Sequence, residues 1–381
     1  PSGLAAAHDL TARGYQTTIF DSEQKPGGLL SSAIPAFRLP VDALERDINR
    51  ILEMGVTFKG GQRLGRDFSI EDLLANGYRA IYLGIGAHKD LTMGWDVALD
   101  DVGIRVTEAL AYLKAVNQGR ETESGRQAVI VGGGNAAIDA ARTAKRLGAE
   151  TVTVAYRRRR EEMTAIKEEI EAAEEEGIVI ETQLLPVGLQ NSGAPGVKFV
   201  RTSPGEPDES GRSRPVPLQG TEFVLAADLV VSAIGQDIEN DFLLLDGQKL
   251  ELSSDSLNVN PDNAQTSHPL VFAGGDLADS QRTVTDAIAW GKLAAWGIDC
   301  QLMGEEQAGT RPPAPAFKPA IPSFDMVGVH PVPQQKPDTL NSAQRTADFS
   351  EVRKTLTEEQ AIKEAERCLV CGQCGNCNSC I

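Results

Sequence analysis

Five cysteines recur at every third position near the end of the chain, and their spacing carries the most specific chemistry in the sequence. They are Cys368, Cys371, Cys374, Cys377 and Cys380. Short gaps filled by small residues let successive thiolates face one cluster, so the run predicts iron–sulfur ligation. Structural zinc sites, the alternative, normally use two separated cysteine pairs. Because one [4Fe-4S] cluster takes four thiolates, the fifth is spare, serves a second cluster, or works with ligands beyond Ile381.

The sixth cysteine, Cys300, stands alone in the preceding part of the chain. A secreted disulfide scaffold spreads its cysteines, so clustered thiols indicate a metal centre in a reducing compartment. No C-x-x-C or C-x4-C pair lies near the glycine-rich start, which argues against a flavin disulfide reductase. None of the histidines lies beside an obvious nucleophile or metal set, and we expect structural roles for them. They are His8, His88, His268 and His330.

A glycine-rich turn between a predicted strand and a predicted helix has the G-x-G-x-x-A pattern of dinucleotide binding. Gly132 permits the turn, Gly134 lets the backbone approach a pyrophosphate, and Ala137 keeps the helix close to the sheet. Free N–H groups and the helix dipole would face the phosphates. The alternative is an ordinary tight turn between a strand and a helix.

The residues after the next strand indicate which nucleotide binds. An acidic residue there would accept a hydrogen bond from a ribose hydroxyl, but the chain has Tyr156 followed by four arginines at 157–160. Guanidinium groups match a 2′-phosphate in charge and geometry, so we expect NADP(H) in preference to NAD(H). We expect only one or two of the four arginines to touch the nucleotide. The alternative is that Arg158 to Arg160 begin the following charged helix and pair with Glu161 and Glu162.

Two further segments indicate a second dinucleotide, FAD. Gly3 precedes an alanine-rich helix, and Asp21 lies 18 residues later at a strand end, which suits an acid bonding an adenosine ribose. A later strand runs into Gly274 and Asp276, which suits a ribityl hydroxyl. The next helix, with Thr285 in its first turn, would favour negative charge on a reduced flavin. The alternatives are a glycine that merely precedes a helix and an aspartate that caps one.

Alternating strands and helices must position these residues. Strands are predicted at 16–20, 80–83, 128–131, 151–155 and 270–273, and helices at 4–13, 42–54, 136–147, 161–176 and 283–295. This alternation is typical of an α/β protein with two Rossmann-like dinucleotide-binding domains. Polar residues 191–217 are expected to form hairpin turns and loops, and Thr357 is expected to cap a last short helix.

Composition excludes several functions. The chain has 381 residues, with 37 Lys and Arg against 54 Asp and Glu, for a formal charge of −17. Such a surface repels phosphate backbones and anionic lipid, so we expect neither nucleic-acid binding nor membrane insertion. No apolar run reaches the roughly 18 residues of a spanning helix and no signal peptide is evident, so a cytoplasmic location is expected. A first residue of Pro1 and a cysteine run that stops at Ile381 suggest truncation at both ends.

Several motifs together resemble the small subunit of NADPH-dependent glutamate synthase and its relatives, including the flavin/NADPH portion of dihydropyrimidine dehydrogenase. The motifs are 27–30 (GGLL), 34–40 (IPAFRLP), 132–142 (GGGNAAIDAAR), 156–158 (YRR), 233–236 (AIGQ) and 272–276 (FAGGD). The resemblance covers about residues 1–305. It implies FAD contacts at Gly3, Asp21, Gly28 and Asp276, and pyridine-nucleotide contacts at Gly132, Gly134, Asn135, Arg157 and Arg158.

The resemblance also implies the domain order. Residues 1–115 and 237–305 would form a discontinuous FAD domain, with an NAD(P)H domain at 116–236 inserted between them. A proline-rich linker at 306–356 would lead to a helix and a cysteine-rich segment at 357–381. The glutamate synthase subunit carries its cluster cysteines ahead of the FAD domain. This tail instead resembles stand-alone NAD(P)H:acceptor oxidoreductases, which pass electrons through a ferredoxin-like module to another enzyme.

Together these features predict an FAD-dependent NAD(P)H:acceptor oxidoreductase. Hydride would pass from NAD(P)H to FAD. Single electrons would then pass through the iron–sulfur segment to a redox partner protein or a large catalytic subunit in a hetero-oligomer. The flavin carries the chemistry, so no catalytic acid–base residue is expected. Two alternatives stay open: a glutamate synthase small subunit, and a non-catalytic flavin- and cluster-bearing assembly or sensor protein.

Overall fold

A computed structural model describes residues 1–94, 103–121, 123–190, 194–208, 211–245, 248–253, 256–279, 282–304 and 332–367. The α-helices of these residues are α1 (Ser2–Ala12), α2 (Leu29–Ser32), α3 (Val41–Glu53), α4 (Ile70–Ala75), α5 (Ala109–Asn117), α6 (Asn135–Arg146), α7 (Lys167–Glu175), α8 (Val284–Met303), α9 (Ser342–Arg345) and α10 (Glu358–Glu366). None of these helices is both long and apolar enough to cross a membrane.

The strands of the described residues are mostly short. They are β1 (Thr18–Asp21), β2 (Thr57–Gly60), β3 (Ile81–Leu83), β4 (Lys89–Asp90), β5 (Arg105–Glu108), β6 (Gln127–Val131), β7 (Thr151–Tyr156), β8 (Val179–Thr182), β9 (Leu184–Gln190), β10 (Gly196–Pro207), β11 (Ser213–Pro217), β12 (Phe223–Ala226), β13 (Leu229–Ser232), β14 (Gln236–Asp237), β15 (Leu244–Leu245), β16 (Gln248–Lys249), β17 (Leu252–Ser253), β18 (Ser256–Leu257) and β19 (Val271–Ala273).

A five-stranded parallel sheet in the order β5–β13–β6–β7–β8 forms the centre of one lobe, which we call the second lobe. Its central strands are apolar along their length because helices and a second sheet cover both faces. Alanines on α6 are fully buried and let that helix lie close to the sheet. β5 pairs with β13 although it precedes the expected boundary at residue 116, so the sheet extends further back than that boundary. The division into domains stays a prediction.

An antiparallel sheet of β9, β10, β11 and β12 covers the other face of the parallel sheet. Residues 191–217 were expected to form hairpin turns and loops. The described part of this range contains the twelve-residue β10 and the shorter β11, which pair in antiparallel fashion. The expected hairpin is therefore present, but its first strand is long where loops were expected. The side chains of Val197 and Phe199 are fully buried against the parallel sheet. This packing, which is invisible in a segment rich in Gly, Ser and Pro, stabilises the long strand.

The first lobe is formed by segments from the beginning and from the end of the dinucleotide-binding region. β1 pairs with β2 and β3 pairs with β19, both in parallel. Helices α1 and α8 pack closely because their contact consists of small residues. A Cβ added at Gly291 would lie 2.2 Å from the carbonyl oxygen of Ser2. The chain leaves and re-enters this lobe through β4 and β14, which pair with each other in antiparallel fashion.

The charged segment at 161–176 differs from its prediction as one solvated helix. It contains a 3-10 turn at Arg160–Glu162 and then the shorter α7. The amides of Thr164 and Ala165 donate hydrogen bonds to the carbonyl of Gly133 at 3.0 and 3.1 Å, which interrupts the helix. The end of the segment is buried, since Glu176 accepts hydrogen bonds from the guanidinium groups of two arginines on α6.

The described part of the expected linker at 306–356 packs on the body of the protein. The amide of Val352 donates to the carbonyl of Phe37 at 3.1 Å. Arg345 donates to a carboxylate oxygen of Glu175 at 2.6 Å. The assignment of 306–356 as a linker stays a prediction, and residues 306–331 lie outside the described residues. Thr357 begins α10 with the predicted cap, in which its hydroxyl accepts from Gln360 N at 3.2 Å.

Candidate functional site

One continuous cavity of about 2540 Å³ runs between the two lobes. Ordinary ligand pockets measure about 300–1,000 Å³, so this cavity has room for two dinucleotides. Its walls contain predicted FAD residues and predicted pyridine-nucleotide residues. Gly3, Asp21, Gly28, Asp276 and Thr285 lie at one end, and Gly132, Gly134, Asn135, Arg157 and Arg158 at the other. Gly274 and Ala137 do not line it and lie just behind its walls, buried in the cores.

The turn ahead of α6 has the geometry expected of a phosphate-binding turn. Gly132 has a φ of +151°, and a Cβ there would lie 2.2 Å from the carbonyl oxygen of Ala233. Gly134 precedes the first turn of α6, and no side chain of the described residues caps this end. The first amides of α6 are therefore available to an anion. Asn135 accepts a hydrogen bond from Ile166 N at 3.0 Å, so its side chain fixes the approach to α7.

The four arginines at 157–160 have different surroundings. Arg157 is exposed, and its side chain has no hydrogen bond or ion pair among the residues that the structure describes. Partial desolvation and the charges of Arg158 and Arg212 lower its pKa, an electrostatic setting that favours a bound anion. Arg158 is buried and donates to Asp208 Oδ2 at 2.6 Å and to Ser213 O at 2.8 Å. It lines the cavity while being held by protein groups.

The remaining two arginines lie outside the cavity wall. Arg159 pairs with Glu162 at 3.1 Å, and Arg160 pairs with Glu174 across an exposed surface. The alternative prediction of pairs with Glu161 and Glu162 is confirmed for Arg159, whereas the partner of Arg160 is Glu174. Arg212 lines the cavity beside Arg157, but sequence reasoning missed it because it lies in a polar stretch 55 residues later with no motif around it.

Glycines and a carboxylate also line the end of the cavity where FAD is predicted to bind. A Cβ at Gly3 would meet no protein atom within 4 Å, so this position is open to a ligand. Gly28 has a φ of +59° at the start of α2. Asp21 at the end of β1 accepts from Glu23 N at 2.9 Å, and burial followed by the nearby Glu23 charge raises its pKa despite that hydrogen bond. A ribose hydroxyl would supply a further hydrogen bond to this carboxylate.

Asp276 follows β19, and its carboxylate, like that of Asp21, is suited to accept a hydrogen bond from a ligand hydroxyl. Burial raises its pKa, and among the described residues its carboxylate has no hydrogen bond or ion pair. It does not cap α8, since the hydroxyl of Thr283 accepts from Asp286 N at 3.1 Å and takes that role. Gly274 is a glycine because a Cβ there would lie 2.7 Å from both Tyr82 Oη and Trp290 Cβ. Thr285 is exposed in the first turn of α8.

Two further residues line the cavity. The sequence predicted a structural role for one of them, His88, and did not single out the other, Arg282. His88 lines the cavity, although a structural role was expected for it. Its surroundings, chiefly desolvation and then the charge of Lys114, lower its pKa to about 4, so the ring is neutral at ordinary pH. Arg282 also lines the cavity, immediately ahead of α8. The only sequence signal for either residue is its position after a glycine-rich segment or before a helix.

Among the described residues, no group of three or more histidines, cysteines or acids could hold a metal ion. The five predicted cluster ligands all lie outside the described residues. They are Cys368, Cys371, Cys374, Cys377 and Cys380. Their role therefore stays a prediction from spacing.

The cavity fits two bound dinucleotides. At each end a strand leads to a glycine that leaves room for a ligand and to the start of a helix. Each end also has charged groups suited to its predicted ligand. The carboxylates at the predicted FAD end can accept hydrogen bonds from hydroxyl groups, and the arginines at the other end can bind a phosphate. Among the residues that the structure describes, the carboxylate of Asp276 and the guanidinium of Arg157 have no hydrogen bond or ion pair, so both are available to a ligand in this space.

The chain is similar to several curated proteins. It is 38% identical over 380 residues to the "NADP(+)-dependent formate dehydrogenase subunit beta" of Moorella thermoacetica, covering 97% of this chain and 53% of that protein. It is 34% identical to the "NADPH-Fe(3+) oxidoreductase subunit beta" of Geobacter sulfurreducens, covering 97% of this chain and 60% of the relative. It is 36% identical over 313 residues to the "Glutamate synthase [NADPH] small chain" of Escherichia coli, covering 78% of this chain and 66% of that protein.

These matches confirm the resemblance to the glutamate synthase small subunit and its relatives. The chain spans about half to two thirds of the length of these relatives. Among solved structures, Mycobacterium tuberculosis FprA in complex with NADPH has the same fold, with a TM-score of 0.64 at 16% identity over 82% of this chain and 85% of that one.

The fold class predicted from the sequence is confirmed for the dinucleotide-binding region, whereas the cysteine-rich tail lies outside the described residues. The family model that matches residues 1–291 is described as pyridine nucleotide-disulphide oxidoreductase. The motifs, the two-lobed cavity and this match agree: the chain belongs to the pyridine nucleotide-disulphide oxidoreductase family.

Proposed function

We propose that this protein is an FAD-dependent NADPH oxidoreductase that delivers electrons to a partner protein. The single observation that carries the proposal is the continuous cavity, in which the Gly132 turn and the Asp276 segment line the same space. The names of the relatives support it, since three of them contain NADP(+) or NADPH. FAD, when bound, supplies the exchange between a two-electron donor and one-electron acceptors.

The residues of the chain bind and orient in this proposal, and none of them is assigned as an acid or a base. The first amides of α6 bind the pyrophosphate of NADPH, and Arg157 with Arg158 binds its 2′-phosphate. Asp21 and Asp276 accept hydrogen bonds from hydroxyl groups of FAD. The amino-terminal end of α8, with Thr285 in its first turn, favours negative charge on the flavin. Burial between two lobes excludes water from the cofactors.

We propose that the cysteine tail holds one or more [4Fe-4S] clusters and connects the flavin to the partner. Five cysteines with equal gaps support this assignment over zinc. The partner would be a larger redox subunit, since similar chains are named "subunit beta" or "small chain". Closely spaced thiols need a reducing compartment, which favours a cytoplasmic location.

A glutamate synthase small subunit is the second candidate, favoured by the 36% identity to the E. coli chain. Co-purification with an amidotransferase-linked large subunit would support it. The similarity over the tail favours the first candidate, because the formate dehydrogenase and NADPH-Fe(3+) relatives match 97% of this chain. The match to the small chain covers 78%.

Anaerobic titration of the full chain, reconstituted with FAD and iron–sulfide, tests the proposal. NADPH should bleach the visible flavin absorbance with one equivalent, and NADH should require a higher concentration. Electron paramagnetic resonance should then detect reduced clusters. A reconstituted chain that binds no flavin would overturn the oxidoreductase assignment. Bound flavin that NADPH does not reduce would favour the assembly or sensor protein.

A further inference from the structure

Arg282 is a cavity-lining cation that none of the roles above uses. It lies one residue before Thr283, the cap of α8, and its backbone has a φ of +53°. Residues other than glycine rarely adopt this left-handed conformation, so surrounding contacts must hold it. The backbone therefore sets the direction in which this side chain leaves the start of the helix.

One hydrogen bond anchors the guanidinium group. Nη1 donates to the carbonyl oxygen of Gln236 at 2.6 Å, and Gln236 belongs to β14, where the chain returns to the first lobe. This bond uses one of the five N–H donors of an arginine. Nε is buried and has no hydrogen-bond partner among the described residues. Within the described ranges, most of the donor capacity of Arg282 is therefore unused by protein groups.

The charge of Arg282 is also incompletely neutralised. Asp276 is near enough for its carboxylate to be stabilised by Arg282. Within the described part of the chain, however, no carboxylate lies within ion-pair distance of this guanidinium group. The buried Nε of a purely structural arginine would normally be paired with a protein acceptor. The alternative is that Arg282 serves only to fasten β14 to the start of α8.

We propose that Arg282 is a flavin-binding residue whose guanidinium group, together with the amino-terminal end of α8, stabilises the negative charge of the reduced isoalloxazine ring. This inference rests on the proposed binding of FAD. The reduced ring gathers negative charge at its pyrimidine edge, which presents carbonyl and ring-nitrogen acceptors. A guanidinium group donates charge-assisted hydrogen bonds to such acceptors. The anchor to Gln236 positions the cation before the charge develops.

Sulfite addition to the oxidised flavin measures this effect without NADPH turnover. Sulfite donates its lone pair to form a bond with a ring nitrogen. The ring C=N π bond at that nitrogen breaks, and its electron pair is delocalised over the pyrimidine edge as negative charge. In the full chain loaded with FAD, Arg282→Gln should raise the sulfite Kd by about tenfold or more. The two-electron midpoint potential of the flavin should shift by about 30 mV to more negative values, the equivalent of a tenfold loss. Arg282→Lys should recover part of both effects.

Lys292→Gln is the matched control, because it removes the same charge from α8. Lys292 pairs with Asp9 on the outside of the helix and does not line the cavity. Its sulfite Kd and potential should match those of the unsubstituted protein. An Arg282→Gln protein that binds flavin with unchanged sulfite Kd and potential would overturn the inference. If that variant retains no flavin, a shift of about 30 mV or more to negative potential in Arg282→Lys, which keeps the positive charge, would overturn it. An unsubstituted chain that binds no flavin would instead overturn the proposed function.

Discussion

Arg38 of the first lobe donates two hydrogen bonds to the carboxylate of Asp139 on α6 of the second lobe, at 2.7 and 2.8 Å. The adjacent Phe37 ring lies under the guanidinium carbon of Arg146 at 3.8 Å. Phe37 and Arg38 belong to the IPAFRLP motif at 34–40, which the proposed chemistry does not use. The motif therefore joins the two lobes on either side of the cavity.

The lobe contact should contribute strongly to stability. Arg38→Ala leaves the carboxylate of Asp139 buried without its partner, and the free energy of unfolding should fall by about 3 kcal/mol. The double variant with Asp139→Ala should lose less than the sum of the two single changes. Urea denaturation of the four proteins measures this coupling. Arg126→Ala, which breaks an exposed pair with Glu150, should have little effect. Additive losses would exclude the pairing as the cause.

NADPH selectivity should depend on Arg157. Arg157→Ala should raise the KM for NADPH by about tenfold to a hundredfold, because a charged donor to the 2′-phosphate is lost. The KM for NADH should change little. Steady-state dye reduction with both nucleotides measures the ratio. Arg160→Ala is the control, since Arg160 pairs with Glu174 and does not line the cavity. Equal changes for both nucleotides would remove the 2′-phosphate assignment.

Two glycine substitutions should distinguish a glycine that makes room for FAD from a glycine that lets two helices pack closely. Gly3→Ala adds a methyl group where no protein atom lies within 4 Å, so folding should be retained while the FAD Kd rises about tenfold through steric conflict. Gly291→Ala places its methyl group 2.2 Å from Ser2 O and should destabilise the protein itself. Flavin fluorescence titration and thermal unfolding distinguish the two effects. Unchanged FAD affinity in Gly3→Ala would place the flavin elsewhere.

The stability of the cofactor-free chain should depend on pH through His88. Its pKa of about 4 in the folded protein lies below the unfolded value of about 6.5. Between these values the unfolded chain binds more protons, so the free energy of unfolding should fall as pH decreases from about 6.5 to about 4. His88→Gln should reduce this slope relative to the unsubstituted chain. NMR titration of the ring should give a pKa well below 6.5, and a value at or above it would contradict the prediction.

Cluster assembly and flavin reduction should be separable at Cys371. Cys371→Ser should lose the broad iron–sulfur absorbance yet retain reduction of the flavin by NADPH, because the flavin lies between nucleotide and cluster in the proposed order. Cys300→Ser should keep both properties, since Cys300 lies on α8 apart from the run. Anaerobic stopped-flow absorbance measures the two signals. Loss of flavin reduction in Cys371→Ser would contradict the order.

The local features of this protein were predictable from sequence because neighbouring residues determine them. Glycine is required at position 132 because a Cβ there would collide with the backbone of Ala233. The start of α10 at Thr357 follows from a capping box, a pattern of only four consecutive residues. An uninterrupted apolar run predicted the buried parallel strand β6. These patterns were enough to indicate two dinucleotide sites and the family resemblance.

The tertiary structure decided which side chains share the cavity and which are already paired. Arg157 and Arg158 are adjacent in sequence, yet only Arg158 is held by Asp208, fifty residues later. Arg282 meets Gln236 across a distance of 46 residues. Such pairings depend on how the lobes fold back on each other, because a side chain's partners are set by packing in space and not by spacing along the chain. Sequence therefore predicted the ligands, and only the fold showed which groups are left free to bind them.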